Sequence, residues 1–111
     1  MVNLIIFGVV FSLFALFTED LWLVCGMHFS WNYTLGCIIG NNVSGIYLPS
    51  IFTFKLNGDD ILTGGAFGIE GSILTTLTGV IISAVILLLL YKRAEIQRLK
   101  EFEEKVFPPL L

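Results

Sequence analysis

The sequence predicts an all-α integral membrane protein. It has three transmembrane helices, a long glycine-rich outer loop and a short amphipathic C-terminal helix. Three observations carry this. Hydrophobic residues are 56% of the 111 and charged residues only 14%, with mean hydropathy +0.90, far above that of an ordinary soluble domain. Three stretches carry no charge: residues 1–18, 21–40 and 71–91. Each approaches the roughly 20 apolar residues that a spanning helix needs. Lys92, Arg93, Arg98 and Lys100 then follow the last stretch directly.

The first helix is expected over residues 1–17. It lacks the basic flank and small-x-small site of a signal peptide, so a spanning helix is the better reading. Thr18, Glu19 and Asp20 form a tight turn. The second helix, 21–40, contains His28, Asn32 and several small residues: Gly26, Ser30, Gly36 and Gly40. These favour close helix contact. Cys25 and Cys37 are twelve apart with no CxxC; they read as thiols buried in an apolar segment. The outer loop, 41–70, is rich in turn formers around the apolar run "IYLPSIFTF", too short to span and expected to be re-entrant or to lie on the bilayer surface.

The third helix is expected over 71–91, with Glu70 near its N-terminus to suit the macrodipole. Gly64, Gly65, Gly68 and Gly71 do not make G-x-G-x-x-G and no Walker lysine follows, which argues against a phosphate cradle. Residues 1–91 therefore form a membrane domain and 92–111 a cytoplasmic tail. In the tail Ile96, Leu99, Phe102 and Val106 recur at helical spacing, Glu101 precedes Lys105 by four, and Pro108 and Pro109 stop the helix. Basic residues favour the cytoplasmic side, so the C-terminus is placed inside. The net charge of −3 has no basic stripe, which argues against nucleic acid as a partner.

His28 and Asn32 are four apart and share a helix face. His28 lies about seven residues, or roughly 10 Å, past the start of its helix. A polar group inside a membrane faces the bundle interior and is a functional candidate by default. Imidazole binds metals or moves protons, and an amide stabilises an oxyanion. The structural alternative is an interhelical hydrogen bond worth about 1 kcal/mol. Spacing alone favours that alternative. The sequons at Asn32 and Asn42 are discounted, Asn32 because it is placed within the membrane.

The run "GMHFSWNYTLGCIIGNNVSG", followed by "LTGGAFGIEGS" and a hydrophobic helix, resembles the C-terminal part of the CPBP family. These are the CAAX-protease and bacteriocin-processing intramembrane metalloproteases, also called the Abi family. The matching positions are His28, Asn32, Gly40, Ser44, Gly45, Gly64, Gly65, Phe67, Gly68, Glu70, Gly71 and Ser72. The resemblance spans about residues 1–91. It implies that His28 and Asn32 belong to a catalytic cluster acting on prenylated or membrane-associated peptides. For the complete family site it implies either zinc held by histidines, or a glutamate and a histidine that activate water while the last histidine and the asparagine hold the oxyanion.

The family's E-E-x-x-x-R and F-x-x-x-H motifs are absent. No predicted span holds a second histidine or a carboxylate, and Glu70 is expected on the opposite side from Glu19 and Asp20. A catalytic zinc needs three protein ligands, so no cofactor is expected for this chain alone. The expectation is a C-terminal portion of such an enzyme, inactive by itself: either a truncated gene or a half completed by an upstream half-chain. The rival is a non-enzymatic, multi-pass interaction or immunity-like protein. It would use the same helix face for packing.

Overall fold

The computed structural model describes residues 2–107. Among them it is helical, with one isolated bridge, Val43 to Ile46, and no strand. The helices are α1 (Val2–Thr18), α2 (Leu21–Tyr33), the single turn α3 (Asp60–Thr63) and α4 (Ile73–Val106). Met1, Pro108 and Pro109 fall outside the described residues, and the predicted proline stop with them.

α1 and α2 are joined where the sequence turns. Asp20 caps α2: its Oδ1 accepts from Trp22 N at 2.9 Å and Leu23 N at 3.3 Å, satisfying two N–H groups that the helix cannot. Glu19 takes φ +56°, which lets the chain reverse within one residue. α1 packs along α4 in the same direction, Asn3 beside Thr76 and Phe17 beside Arg93. At their contact Gly79 is buried, and an added Cβ would come within 2.5 Å of Ile6 Cγ2. Gly79→Ala is therefore expected to cost about 1–2 kcal/mol by overpacking. Ile6→Ala in the same chain should recover part of it. A double-mutant cycle in detergent reads that coupling.

α2 does not end at Tyr33 but widens into a π-helical segment, Thr34–Ile39, closed by Gly40 at φ +77°. A helix end leaves carbonyls without partners. Here the run after Pro49 comes back to meet them. Ile51 N donates to Cys37 O, Phe52 N to Ile38 O and Phe54 N to Ile39 O, at 2.9–3.0 Å. The "IYLPSIFTF" segment thus folds back to close α2, while Ile46, Tyr47, Ile51, Phe52 and Phe54 keep their side chains exposed. Gly36 admits this return, since a Cβ there would meet Leu48 Cδ1 at 2.8 Å.

Two expectations about the small residues and thiols change. Gly26 faces open space instead of a neighbouring helix. Cys25 and Cys37 are free, but Cys25 is exposed, because this part of α2 has no neighbour on that side.

The third predicted helix and the tail helix are one. Ser72, fully buried, accepts from Thr75 N at 3.2 Å and starts α4. The helix then continues for 34 residues through the boundary expected at 91. No glycine or proline interrupts residues 80–106, and the charged residues there are good helix formers. At Arg93 the helix is tied to the α1–α2 turn. Nη2 contacts Glu19 Oε1 at 2.9 Å and Nη1 donates to Phe17 O at 3.1 Å. Both side chains are largely solvated, so the pair contributes at most about 1 kcal/mol. Its value is as a marker: the turn and the basic cluster lie at one end of the bundle.

α4 is the one described helix long and apolar enough by itself to cross a membrane. α1 and α2 are shorter. Buried hydrophobic residues are few: Val10, Val24, Leu35, Val43 and Ile86.

Candidate functional site

The site is assembled from three apolar helices and a knot of glycine-rich loop. Phe7 lies against Trp31 with ring centroids 6.4 Å apart, and Phe11 stacks on His28 at 4.8 Å. These pairs set the register of α1 against α2. They place His28 and Trp31 about 12 and 16 Å along α2 from its cap. Both face α1 across a cavity of about 160 Å³. The same cavity is lined by Asn3, Ser44, Phe67 and Glu70.

The loop reaches this depth by a tight hairpin. Val43 and Ile46 exchange two backbone hydrogen bonds, 3.0 and 2.9 Å, around Ser44 at φ +50° and Gly45 at φ +83°. Two successive left-handed residues make the two-residue turn that favours Gly at its second position. Segment 64–72 then interlocks with it. Gly45 N donates to Phe67 O, Asn42 Nδ2 to Ala66 O, and Ile69 N to Asn41 Oδ1.

Glu70 joins all of these parts. It is buried, and both carboxylate oxygens are occupied. Trp31 Nε1 donates to Oε1 at 2.8 Å. Ser44 donates to Oε2 through its backbone N at 2.8 Å and its Oγ at 2.9 Å. Asn3 is buried beside it. Its Nδ2 donates to Glu70 O at 2.7 Å and Ser72 O at 3.1 Å, and Thr76 Oγ1 donates to its Oδ1 at 2.6 Å. The loop, α1, α2 and α4 are thus held by one polar cluster. No buried side-chain N or O among the described residues lacks a partner, as buried polar groups require.

The sequence expectation for Glu70 is corrected on two points. It does not stand outside the helices, away from His28; it lines the same cavity. It also makes no capping hydrogen bond to α4: its carboxylate turns toward Trp31 and Ser44 while Ser72 caps the helix. The turns at Gly64, at φ +79°, and Gly68, at φ +86°, fold the loop inward and carry it there.

His28 and Asn32 remain on one helix, but they are used differently. From His28, Trp31 lies about 60° around α2 on the α1 side, and Asn32 about 40° the other way. His28 lines the cavity; Asn32 is half-buried and does not. His28 keeps substantial exposure, so its imidazole is open on the side that α1 leaves uncovered.

A zinc ion with three protein ligands does not fit this cavity. His28 and Glu70 are its two groups of ligand type, and both Glu70 oxygens already accept hydrogen bonds. No group of three or more His, Cys, Asp or Glu that could hold a metal occurs among the described residues. The groups available are therefore an exposed imidazole, a nearby amide and a fully engaged carboxylate.

Glu70, Asn3 and Ser44 have site roles that spacing does not assign. A signal for two of them exists in the sequence. Asn3 is the one polar residue in positions 1–11, and Glu70 the one carboxylate between Asp60 and Glu95. A lone polar group in an apolar run is expected to find an interior partner.

No family model, curated protein or solved structure matches this chain. Any family assignment therefore rests on the motif residues and their geometry.

Proposed function

We propose that this chain is a membrane unit of three spanning helices. It carries one wall of a CPBP-type intramembrane endopeptidase site, acts on prenylated or membrane-associated peptides when completed, and does not cleave alone. The observation that carries this reading is the convergence of the motif residues. Ser44, Gly45, Phe67, Gly68, Glu70 and Ser72 form one loop knot, and the cavity under it is walled by His28. Residues far apart in sequence are joined into one feature, as expected of parts of a single site. His28 has its imidazole uncovered toward the side where further helices would stand.

The lengths support three crossings. α1, α2 with its π-helical end, and α4 up to Arg93 are each about 25–30 Å long, close to a bilayer's hydrocarbon thickness. Exposed Leu, Ile, Val and Phe side chains cover their outer faces. The turn at Glu19 and the basic residues from Lys92 share one end, which the excess of Lys and Arg makes cytoplasmic. A segment bearing E-E-x-x-x-R and F-x-x-x-H is what this reading requires beside His28.

The experiment is cleavage of a prenylated CaaX peptide in detergent. The purified chain should show none. Mixed with a chain supplying both missing motifs, it should cleave, and His28→Ala should abolish the activity. Cleavage by the isolated chain, lost in His28→Ala, would overturn the claim of inactivity. A mixture that stays inactive would overturn the protease reading.

One observation favours the rival, a non-enzymatic multi-pass interaction protein. Glu70, Asn3 and Ser44 are fully satisfied within the chain, so the loop motif has a structural purpose without any reaction. Crosslinking from Trp22→Cys or Phe29→Cys, both exposed on α2, that captures a specific partner lacking E-E-x-x-x-R would decide for it.

A further inference from the structure

We propose that a second copy of this chain packs along α4 on the side away from α1, as a parallel two-stranded coil formed by residues 92–106. The proposal rests on α4 crossing the bilayer. Beyond Arg93, where the α1–α2 turn ends the bundle, α4 continues for another 13 residues, about 20 Å. That stretch continues the same helix beyond the end of the bundle, so on this reading it stands in water. Yet Ile96, Leu99, Phe102 and Val106 are 48–66% exposed there. An apolar stripe on a helix that stands in water calls for a protein partner.

The spacing and one flanking ion pair favour a second copy as that partner. Lys92, Glu95, Leu99, Phe102 and Val106 follow each other at alternating steps of three and four, the repeat of a coiled-coil seam. The same row continues back through Leu88, Val85, Ile81, Thr78 and Leu74, and every one of these is exposed. Gly79, Ile86 and Arg93 mark the face of α4 turned to α1, and the row lies about 130° around the helix from them. A second copy therefore meets no obstruction.

Copies inserted in one membrane point the same way, so they pair in parallel. In a parallel coil the residue just before a seam position lies opposite the residue five further on in the other strand. Here that is Arg98 opposite Glu103 of the second copy, repeated by the two-fold symmetry. This flanking pair is complementary with no change to the sequence, whereas Lys92 and Glu95 in the row each face their own copy. Lys92 and Glu95 interrupt the apolar row at the membrane boundary, where both reach water. Two heptads are short for a coil in solution. This helix, however, is already nucleated by its spanning part, which removes the main obstacle to a short coil.

The test uses the full chain in phosphatidylcholine vesicles with Cys25→Ser and Cys37→Ser. Single cysteines are added as Leu99→Cys or Val106→Cys on the seam and Gln97→Cys on the opposite face. Under mild oxidation, disulfide-linked dimer should form at 99 and 106 at least about fivefold more than at 97, a ratio that about 1 kcal/mol of preference produces. Arg98→Glu should lower the yield at 99, and adding Glu103→Arg should restore it. Equal yields at 97 and 99, or a charge reversal without effect, overturns the coil. So does a lipid-shifted emission from a dye at 99 at one chain per vesicle, because the stripe then lies on the bilayer. Alkaline extraction reads the spanning of α4 separately. If the chain is extracted, the same crosslinks made in solution still decide the seam.

Discussion

Replacing Glu70 by alanine is expected to cost about 3 kcal/mol and to free the loop from the helices. The carboxylate is the only acceptor for Trp31 Nε1, Ser44 N and Ser44 Oγ in this cluster. Hydrogen bonds to such a group contribute more than ordinary ones, and donors left without a partner add their desolvation cost. Ser44 also sits at φ +50°, a strained conformation for a residue with a side chain, which two of these bonds help to hold.

Glu70→Gln should fall between alanine and the parent. Glutamine has one carbonyl oxygen where the site uses two acceptors, so its NH2 group must face either Trp31 or Ser44 as donor against donor. Unfolding by a denaturing detergent, followed by circular dichroism and tryptophan emission, reads the order. Glu101→Ala, on the exposed part of α4, should leave the midpoint unchanged. An alanine variant at position 70 as stable as the parent would show that the cluster does not hold the fold.

Gly68→Ala is expected to be about as damaging, through the backbone. Gly68 has φ +86° and ψ 179°, a region open in practice to glycine alone. A Cβ would also run into the carbonyl oxygen of Asn42 and lie 2.6 Å from Asn41 Oδ1. Neither neighbour can withdraw easily. The Asn41 oxygen accepts from Ile69 N, and Asn42 is tied to Ala66 O. Strain and overlap together should exceed roughly 3 kcal/mol. Gly26→Ala is the matched control. It lies within α2 with nothing within 4 Å of the added carbon, so it should be neutral or stabilise by up to about 1 kcal/mol. Thermal unfolding in detergent compares the two. A Gly68 variant that melts with the parent would show that segment 41–45 does not press on segment 64–72.

The helices were legible because each is a long apolar run bounded by identifiable punctuation. Asp20 and Ser72 are caps, and Gly40 ends the second run. That α4 is one element was only one of two readings, a tail helix on the interface or one extending the third span, because its composition changes at Lys92. Composition reports the solvent that a helix meets, not whether the backbone continues. The π-helical end of α2 was not legible either. It depends on N–H groups arriving from Ile51, Phe52 and Phe54, which no local pattern announces.

The candidate site divides in the same way. The i, i+4 relation of His28 and Asn32 is local geometry and was visible in the sequence. Which side of α2 faces α1 was not, because α2 is apolar nearly all round and offers no polar face to orient it. The turn chemistry of Ser44 and Gly45 and the freedom of Gly68 are written in residue types. That these turns bring Glu70 to Trp31, with Asn3 completing the cluster from the far end of the chain, is not. The partners are 39 and 67 residues apart for Trp31 and Asn3 respectively. Sequence alone determined where this chain is oily, where it turns and which polar residues it isolates. Only the tertiary structure decided which isolated polar groups meet, because a buried hydrogen bond selects its partner by distance and direction across the packed helices, and neither is a property of the linear pattern.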